Sequence, residues 1–204
     1  GTPPEGNGNY GWVQHMLHHT SPNGVVGLVL SNGSLSTTSG GEDVIRKNII
    51  KADLLEAIIA LPEKLFSNTG IPACIWILNK NKTQQDKTLF INAKEFGYML
   101  SKKQRNFTSE DVQSLVDTFH SWRNGGDYKD VAGECYSANT EEIAKHNYTL
   151  TPGRYVGVVE EVDDDVTFAD KMNTLTAILS EQFEESARLE ERIKKNLTGL
   201  GHEC

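Results

Sequence analysis

Apolar positions in the first 93 residues follow two different patterns. In segments 10–20 and 42–52 they recur every three or four residues, which predicts a helix at each place, with Arg46 and Lys47 of the second helix exposed. Other apolar residues form continuous runs of strand length: 25–30, 54–61, 73–78 and the shorter 88–92. A continuous run is typical of a strand covered on both faces. The order of elements therefore predicts an α/β fold whose sheet is parallel and doubly wound, with an antiparallel edge formed by the last, closely spaced strands.

The pattern changes after Ala93. We expect a helix over 110–122 with Ser109 as its N-cap, and a short helix that begins with Thr140 as its cap. Segment 149–155 is irregular, and a long helix is predicted over 168–197. Apolar residues at three- and four-residue spacing along a charged helix are typical of a helix that packs against a partner protein.

The formal net charge of −8 is unevenly distributed. Segment 157–204 contains 12 acidic and 5 basic residues, whereas segment 1–156 contains 16 acidic and 15 basic residues. A protein that binds DNA by itself normally has a basic patch, and none is evident in this sequence. We therefore expect any nucleic-acid role to depend on positive charge from elsewhere.

Cysteine content and hydropathy point to the cytoplasm. The three cysteines, Cys74, Cys135 and Cys204, are odd in number and form no C-x-x-C pair, which favours a reducing compartment. No apolar stretch approaches the ~18 residues that a membrane-spanning helix needs, so we expect no membrane contact.

Three motifs near the start favour ordinary structure over chemistry. Residues 6–11 match G-x-G-x-x-G, but no strand precedes them as a nucleotide loop requires, so we interpret them as the entry to the first helix. Segment 2–5, Thr-Pro-Pro-Glu, shares only its Pro-Pro with the Asn/Asp-Pro-Pro-aromatic motif of amino-methyltransferases. His15, His18 and His19 share one helix, but no further ligand at metal-site spacing accompanies them.

Two segments that follow predicted strands are candidate ligand sites, because ligands of open α/β sheets bind beyond the carboxyl ends of strands. Asn32 and Gly33 follow the first strand, and Phe66 and Thr69 lie on the loop 65–72 after the second. The alternatives are a simple Asn-Gly turn and a Phe66 that only fills the core. Arg154 either contacts a phosphate or forms a capping ion pair, and the sequence leaves both open.

Several segments, taken in order, carry a family resemblance. They are Asn9-Tyr10-Gly11-Trp12-Val13-Gln14-His15-Met16-Leu17, Val29-Leu30-Ser31-Asn32-Gly33-Ser34-Leu35, Ile45-Arg46-Lys47-Asn48-Ile49-Ile50, Thr69-Gly70-Ile71-Pro72, Trp76-Ile77-Leu78-Asn79-Lys80, Thr118-Phe119-His120-Ser121-Trp122 and Leu150-Thr151-Pro152-Gly153-Arg154-Tyr155-Val156-Gly157. This set, which covers 9–157, resembles the methylation subunit of type I restriction-modification enzymes. Members of that family are adenine-N6 DNA methyltransferases that use S-adenosylmethionine.

The resemblance implies a C-terminal fragment of a Rossmann-like S-adenosylmethionine-dependent methyltransferase sheet plus a helical tail. Segment 1–93 would be the second half of the α/β domain, 94–157 its irregular helical extension, and 158–204 an acidic helix that docks on another subunit. In the family, the glycine-rich cofactor loop and the Asn-Pro-Pro-Phe motif precede the segment equivalent to 10–20, so we assign no catalytic or cofactor-binding residue here.

The resemblance also assigns a substrate site and partners. Asn32, Gly33, Phe66 and Thr69 would lie at the pocket for the flipped adenine. The partners would be the specificity and restriction subunits, with DNA bound through the assembled complex. A sheet that lacks its first strands would leave an open apolar edge, which predicts self-association or a covered edge.

Three functions remain as hypotheses from sequence. The chain is part of a methyltransferase and inactive alone, a non-catalytic module that binds the specificity subunit, or a different α/β ligand-binding protein that shares only the sheet architecture.

Overall fold

The structure is a computed structural model, and it describes residues 1–158 and 168–199. The helices are α1 (Asn9–His19), α2 (Glu42–Lys51), α3 (Ser109–Arg123), α4 (Thr140–Lys145) and α5 (Phe168–Gly199). The strands are β1 (Val25–Ser31), β2 (Leu55–Ala60), β3 (Ala73–Asn79), β4 (Lys87–Asn92), β5 (Tyr98–Ser101), β6 (Gln104–Asn106) and β7 (Cys135–Asn139). The predicted helices and the four predicted strands are all present, whereas β5, β6 and β7 were not predicted.

Strand directions differ from the parallel sheet that the sequence predicts. The five-stranded sheet has the order β1-β3-β2-β4-β7, and only β2 and β4 are parallel neighbours. β3 is antiparallel to β1 and to β2, and β7 is antiparallel to β4. The prediction was wrong because β2 and β3 are joined by a loop, which suits antiparallel neighbours, and not by the crossover that parallel neighbours need. β1, β2 and β4 nevertheless run the same way, so their carboxyl ends share one edge of the sheet.

Helices cover both faces of this sheet, which confirms the predicted α/β class. Successive residues of β2 point to opposite faces, because Ile58 belongs to one buried cluster and Ile59 to the other. The first cluster includes residues of α1, α2 and α4. The second includes Trp122 of α3. Every residue of β2 is buried, whereas β1 is buried only at alternate positions and is therefore covered on one face, contrary to expectation.

Two predicted helix caps are wrong by one residue. α3 is capped by Thr108 and not by Ser109: Thr108 Oγ1 accepts a 3.0 Å hydrogen bond from Asp111 N, and Asp111 Oδ2 accepts a 2.8 Å bond from Thr108 N. α4 is likewise capped by Asn139 and not by Thr140, through a reciprocal pair with Glu142. In both cases the cap lies three residues before an acidic side chain, which is the spacing of a capping box.

The chain divides into two compact units, Gly1–Val159 and Glu160–Cys204. In the second unit the predicted long helix is confirmed as α5, whose large apolar side chains are exposed at Leu175 and Leu179 among other positions. The ion pairs Arg188–Glu185 (2.8 Å) and Lys194–Glu190 (2.6 Å) lie along it. The predicted domain boundaries at 93 and 157 stay predictions. Among the described helices none is both long and apolar enough to cross a membrane.

One edge of the sheet is apolar and open within the part of the chain that the structure describes. β1 pairs with β3 on one side and with no described strand on the other, and Val29 is 51% exposed. Because an unpaired apolar edge strand can pair with another chain, we expect the isolated chain to self-associate.

Substitution Val29→Lys tests this expectation. Lysine on an edge strand opposes pairing, so the mass measured by light scattering should fall toward that of a monomer. Val44→Lys is the matched control, because Val44 is 50% exposed but lies on α2. A wild-type chain that is already a monodisperse monomer would contradict the prediction.

Candidate functional site

A cavity of about 360 Å³ lies where the ends of β1 and β3 meet the loop between β2 and β3. Its lining is predominantly apolar and consists of Asn9, Val29, Leu30, Ser31, Phe66, Thr69, Ile71, Pro72 and Ala73. Ser31 at the end of β1 and Ala73 at the start of β3 are paired across the two strands, so these two lining residues lie next to each other in the sheet. The cavity therefore lies at the edge shared by the carboxyl ends of β1, β2 and β4, where ligands of open α/β sheets bind.

The predicted site residues fall into two pairs. Phe66 and Thr69 line the cavity. Asn32 and Gly33 do not line it but begin the 3-10 helix Asn32–Leu35, directly after the lining residue Ser31. The Asn32 Oδ1 atom is buried and accepts no hydrogen bond from the residues that the structure describes.

Sequence reasoning missed the other lining residues. Asn9 starts α1 and reaches the cavity only because the helix packs on β1. Ile71 and Pro72 belong to the loop that the sequence singled out, but neither carries a polar group that marks a site. Only the folded chain brings these segments together.

Internal hydrogen bonds fix the loop that carries Phe66. The Thr69 amide donates to Phe66 O at 3.3 Å, and the Ile71 amide donates to Thr69 Oγ1 at 3.2 Å. The Lys64 amide donates to Gly70 O at 3.3 Å and closes the loop at its base. Phe66 is half-buried against the second core cluster, so its ring both packs on the core and lines the cavity. Packing of Phe66 on the core is thus observed, and its contact with a ligand stays a prediction.

A buried polar cluster holds the turn after β1. Ser34 is at its centre: its hydroxyl donates to Ser31 O at 2.7 Å and accepts a 3.2 Å hydrogen bond from Trp76 Nε1. The Tyr10 hydroxyl donates to Ser34 O at 2.6 Å. These bonds tie α1 and β3 to the turn, so the backbone at Asn32 and Gly33 has a defined position.

Arg46 is the charged member of this cluster, and its burial contradicts the predicted exposure. It is 1% exposed, and its guanidinium donates through Nη1 to Thr37 O (2.8 Å) and through Nε to Tyr148 O (2.7 Å). Nη1 also lies 3.3 Å from the Tyr10 hydroxyl. A buried cation is tolerated only where several acceptors surround it. Arg46 therefore fixes α1, the turn after β1 and the segment around Tyr148 relative to one another.

Burial shifts two acid–base groups of the cluster. It raises the pKa of Tyr10 to about 12, against the opposing effect of the nearby Arg46 cation. It also raises the pKa of the Cys74 thiol to about 11, although the Ser34 hydroxyl lowers it in part. Both groups are consequently neutral near pH 7, which suits a structural role and not that of a nucleophile.

The remaining candidate motifs of the sequence are residues 6–11, the histidines of α1 and Arg154. Gly8, within residues 6–11, is the N-cap of α1, so this segment leads into the first helix as interpreted from the sequence. His19 contacts both His15 and His18 on α1, but the described residues contain no group of three or more ligands suited to a metal. Arg154 forms no ion pair within residues 1–158 and 168–199, and it lines a 260 Å³ polar cavity with Lys145 and His146.

Comparisons with known proteins identify the class. The N-6 DNA Methylase family matches residues 1–164, and the chain belongs to that family. It is 54% identical over 203 residues to the type I restriction enzyme HindI methylase subunit of Haemophilus influenzae, covering all of this chain and 46% of that protein. It is 41% identical to the MjaIX methylase subunit of Methanocaldococcus jannaschii, covering 98% of this chain and 36% of that protein.

Solved structures agree with the family. A type I methyltransferase subunit from Streptococcus thermophilus is 28% identical, with a TM-score of 0.70, and the match covers 78% of this chain and 32% of that one. The EcoKI M protein is 16% identical with a TM-score of 0.61 and covers 90% of this chain and 44% of its own, which shows the shared fold alone. The chain thus spans less than half the length of these relatives.

The described residues do not form a complete site for S-adenosylmethionine. The cavity at the sheet edge is lined by apolar side chains together with Asn9, Ser31 and Thr69, and it contains no carboxylate for ribose hydroxyls.

The role of Arg46 predicts a large effect on stability. Arg46→Met leaves the carbonyls of Thr37 and Tyr148 without their donor, and should lower the free energy of unfolding by about 2–4 kcal/mol. Urea unfolding followed by circular dichroism measures this change.

Lys51→Met is the matched control, because Lys51 is a cation on the same helix but exposed. We expect it to cost less than about 1 kcal/mol. Equal, small losses in the two variants would show that the guanidinium does not organise the turn.

Proposed function

We propose that this chain is the C-terminal part of the methylation subunit of a type I restriction-modification enzyme. The whole subunit would transfer a methyl group from S-adenosylmethionine to adenine N6 in DNA. Membership of the N-6 DNA Methylase family and 54% identity to a type I methylase subunit carry this proposal. A cytoplasmic location, favoured by the free and buried Cys74 and Cys135, agrees with it.

The chain's own contribution would be one wall of the pocket for the flipped adenine. A base must leave the duplex stack to be modified, and it then stacks between aromatic or apolar side chains. The cavity beside Phe66 offers an aromatic ring, apolar walls and few polar groups, which is the usual lining of a site for a flat ligand. Thr69 and the turn at Asn32 and Gly33 would contact the edge of the base.

The residues that bind the methyl donor, and the Asn that polarises the target amine, would belong to the part of the subunit outside this chain. In the family that part contains the glycine-rich loop and the Asn-Pro-Pro-Phe motif. Segment 2–5 supplies neither an Asn nor an aromatic ring, so we expect this chain alone to be inactive.

Removal of the Phe66 ring should impair methylation by the full-length subunit with its partners. Stacking of a base on an aromatic ring is worth ~1–3 kcal/mol, so Phe66→Ala should lower kcat/KM for DNA by about 10- to 100-fold. Phe66→Trp, which keeps a stacking surface, should retain most of the activity. Transfer of labelled methyl groups to DNA measures both.

Phe119→Ala is the matched control for this experiment. Phe119 packs against the same core cluster as Phe66 but does not line the cavity. Equal losses from Phe66→Ala and Phe119→Ala would contradict a role in base binding, since they would reflect the core alone. A wild-type enzyme that methylates no adenine would refute the proposed function itself.

We further propose that α5 docks on the specificity subunit, with the restriction subunit joining the same complex. The exposed Leu175 and Leu179 lie one turn apart on α5, which also carries six acidic and five basic residues. An apolar stripe on a charged helix suits a protein partner. This surface is also what a non-catalytic docking module would use, so docking without methylation would favour that second hypothesis.

Leu175→Glu with Leu179→Glu tests the docking surface in the full-length subunit. Two buried leucines are worth roughly 3–6 kcal/mol, so affinity for the specificity subunit should fall about 100-fold or more. Glu181→Gln with Glu184→Gln on the same helix is the control and should retain binding. Titration calorimetry that finds equal affinity for both double variants would exclude this face.

A further inference from the structure

The antiparallel strands β5 and β6 form a small hairpin that is separate from the five-stranded sheet. Its segment, 94–106, contains the four basic residues Lys94, Lys102, Lys103 and Arg105 and a single acidic residue, Glu95. The hairpin segment is therefore positive by three charges in a chain whose net charge is −8. The sequence-based expectation that this chain shows no basic patch overlooked this concentration, because the acidic residues elsewhere mask it in the total.

The tip of the hairpin presents two free cations. Lys102 and Lys103 are exposed at the turn between the strands, where the Lys103 amide donates to Ser101 Oγ at 3.3 Å. Neither lysine forms an ion pair with any residue that the structure describes. Their charges are thus available to an external anion.

The base of the hairpin is fixed in position. Gly97 has φ +79° and lies so close to Asn106 O that a Cβ would be 2.4 Å away, so only glycine fits there. The Arg105 guanidinium donates to Phe96 O at 2.9 Å. These contacts set the direction in which the two strands leave the fold.

The hairpin base is attached directly to the loop that lines the cavity. The Arg105 amide donates to Lys64 O at 2.8 Å, and Lys64 precedes Phe66 by two residues. One backbone hydrogen bond therefore joins the basic hairpin to the loop that lines the candidate base pocket. DNA whose base entered that pocket would run close to this hairpin.

The first strand of the hairpin adds exposed apolar surface. Tyr98, Met99 and Leu100 are all exposed, with Leu100 at 58%. Cations beside exposed aromatic and apolar side chains are the combination that proteins use on distorted nucleic acid, where phosphates bind the cations and unstacked bases contact the apolar groups.

We propose that the hairpin β5–β6 contacts DNA beside the flipped base, with Lys102 and Lys103 bound to backbone phosphates. This inference rests on the proposed function, since it assumes that DNA is the substrate. Charge complementarity selects DNA as the occupant: it is a polyanion with about one negative charge per 1.7 Å of axis. Because phosphate contacts carry no base sequence, the hairpin supports binding at any site and not sequence choice.

The salt dependence of DNA binding tests this proposal. The variant is Lys102→Gln with Lys103→Gln in the full-length subunit, assembled with its specificity subunit. Each lost phosphate contact removes about 0.9 from the slope of log K against log salt, so the slope should fall by about 1.8. Affinity near 0.15 M salt should fall about 10- to 30-fold, equally for cognate and non-cognate duplexes. Fluorescence anisotropy with labelled duplexes measures the salt slope and the affinities for cognate and non-cognate DNA.

Lys51→Gln with Lys129→Gln is the matched control, because it removes two exposed lysines that lie elsewhere. This control should leave the slope unchanged. If the hairpin and control variants have the same slope as the wild type, the hairpin does not contact DNA. If the hairpin variant loses the specificity subunit on size-exclusion chromatography while its DNA slope is unchanged, the partner is that protein and the proposal is wrong.

The failure of the proposed function gives a different result. A wild-type assembly that neither binds DNA nor methylates it would overturn both proposals. A wild-type assembly that methylates DNA, with a hairpin variant indistinguishable from it, would overturn only the hairpin contact.

Discussion

The buried guanidinium of Arg46 is the constraint on which the geometry of the candidate site depends. Its hydrogen bonds reach Thr37 O, Tyr148 O and the Tyr10 hydroxyl, which lie on three distant segments of the chain. An unpaired cation in the interior is far more costly than one surrounded by acceptors. The chain therefore reaches its low-energy state only when these segments converge, and their convergence places the turn after β1 at the mouth of the cavity.

Sheet topology brings the second wall of the cavity to the same place. β3 inserts between β1 and β2, and its first residue, Ala73, pairs with Ser31 at the end of β1. The loop from β2 to β3 must therefore return to the end of β1, and it carries Phe66 there. The hairpin is joined to the same loop through Lys64 O. Binding of a base and contact with its flanking backbone would thus depend on one loop.

The elements with strong periodicity were predictable from sequence, and so was part of the lining of the candidate cavity. Phe66 and Thr69 follow a buried strand, and that position alone is enough to suggest a ligand site. The apolar pattern alone does not give strand direction, because the fully buried β2 has the same pattern beside parallel and antiparallel neighbours. The signal lay in the connection from β2 to β3, which is a loop and not a crossover. The burial of Arg46 was not predicted, because a charged side chain is usually exposed to solvent. One of the carbonyl groups that accept from it, that of Tyr148, is 102 residues away in sequence. The strand β6 is short and polar, and β7 has only two buried apolar residues, Cys135 and Ala138, so neither has a pattern that reveals a strand.

The fluorescence of 2-aminopurine in place of the target adenine measures most directly whether this cavity receives a base. A DNA duplex that contains the analogue is bound to the full-length methylation subunit with its partners. If the base enters the cavity beside Phe66, stacking should quench the flipped analogue in the wild type, and Phe66→Ala should brighten it. Equal emission from the wild type and Phe66→Ala, with DNA bound to both, would show that the base is held elsewhere.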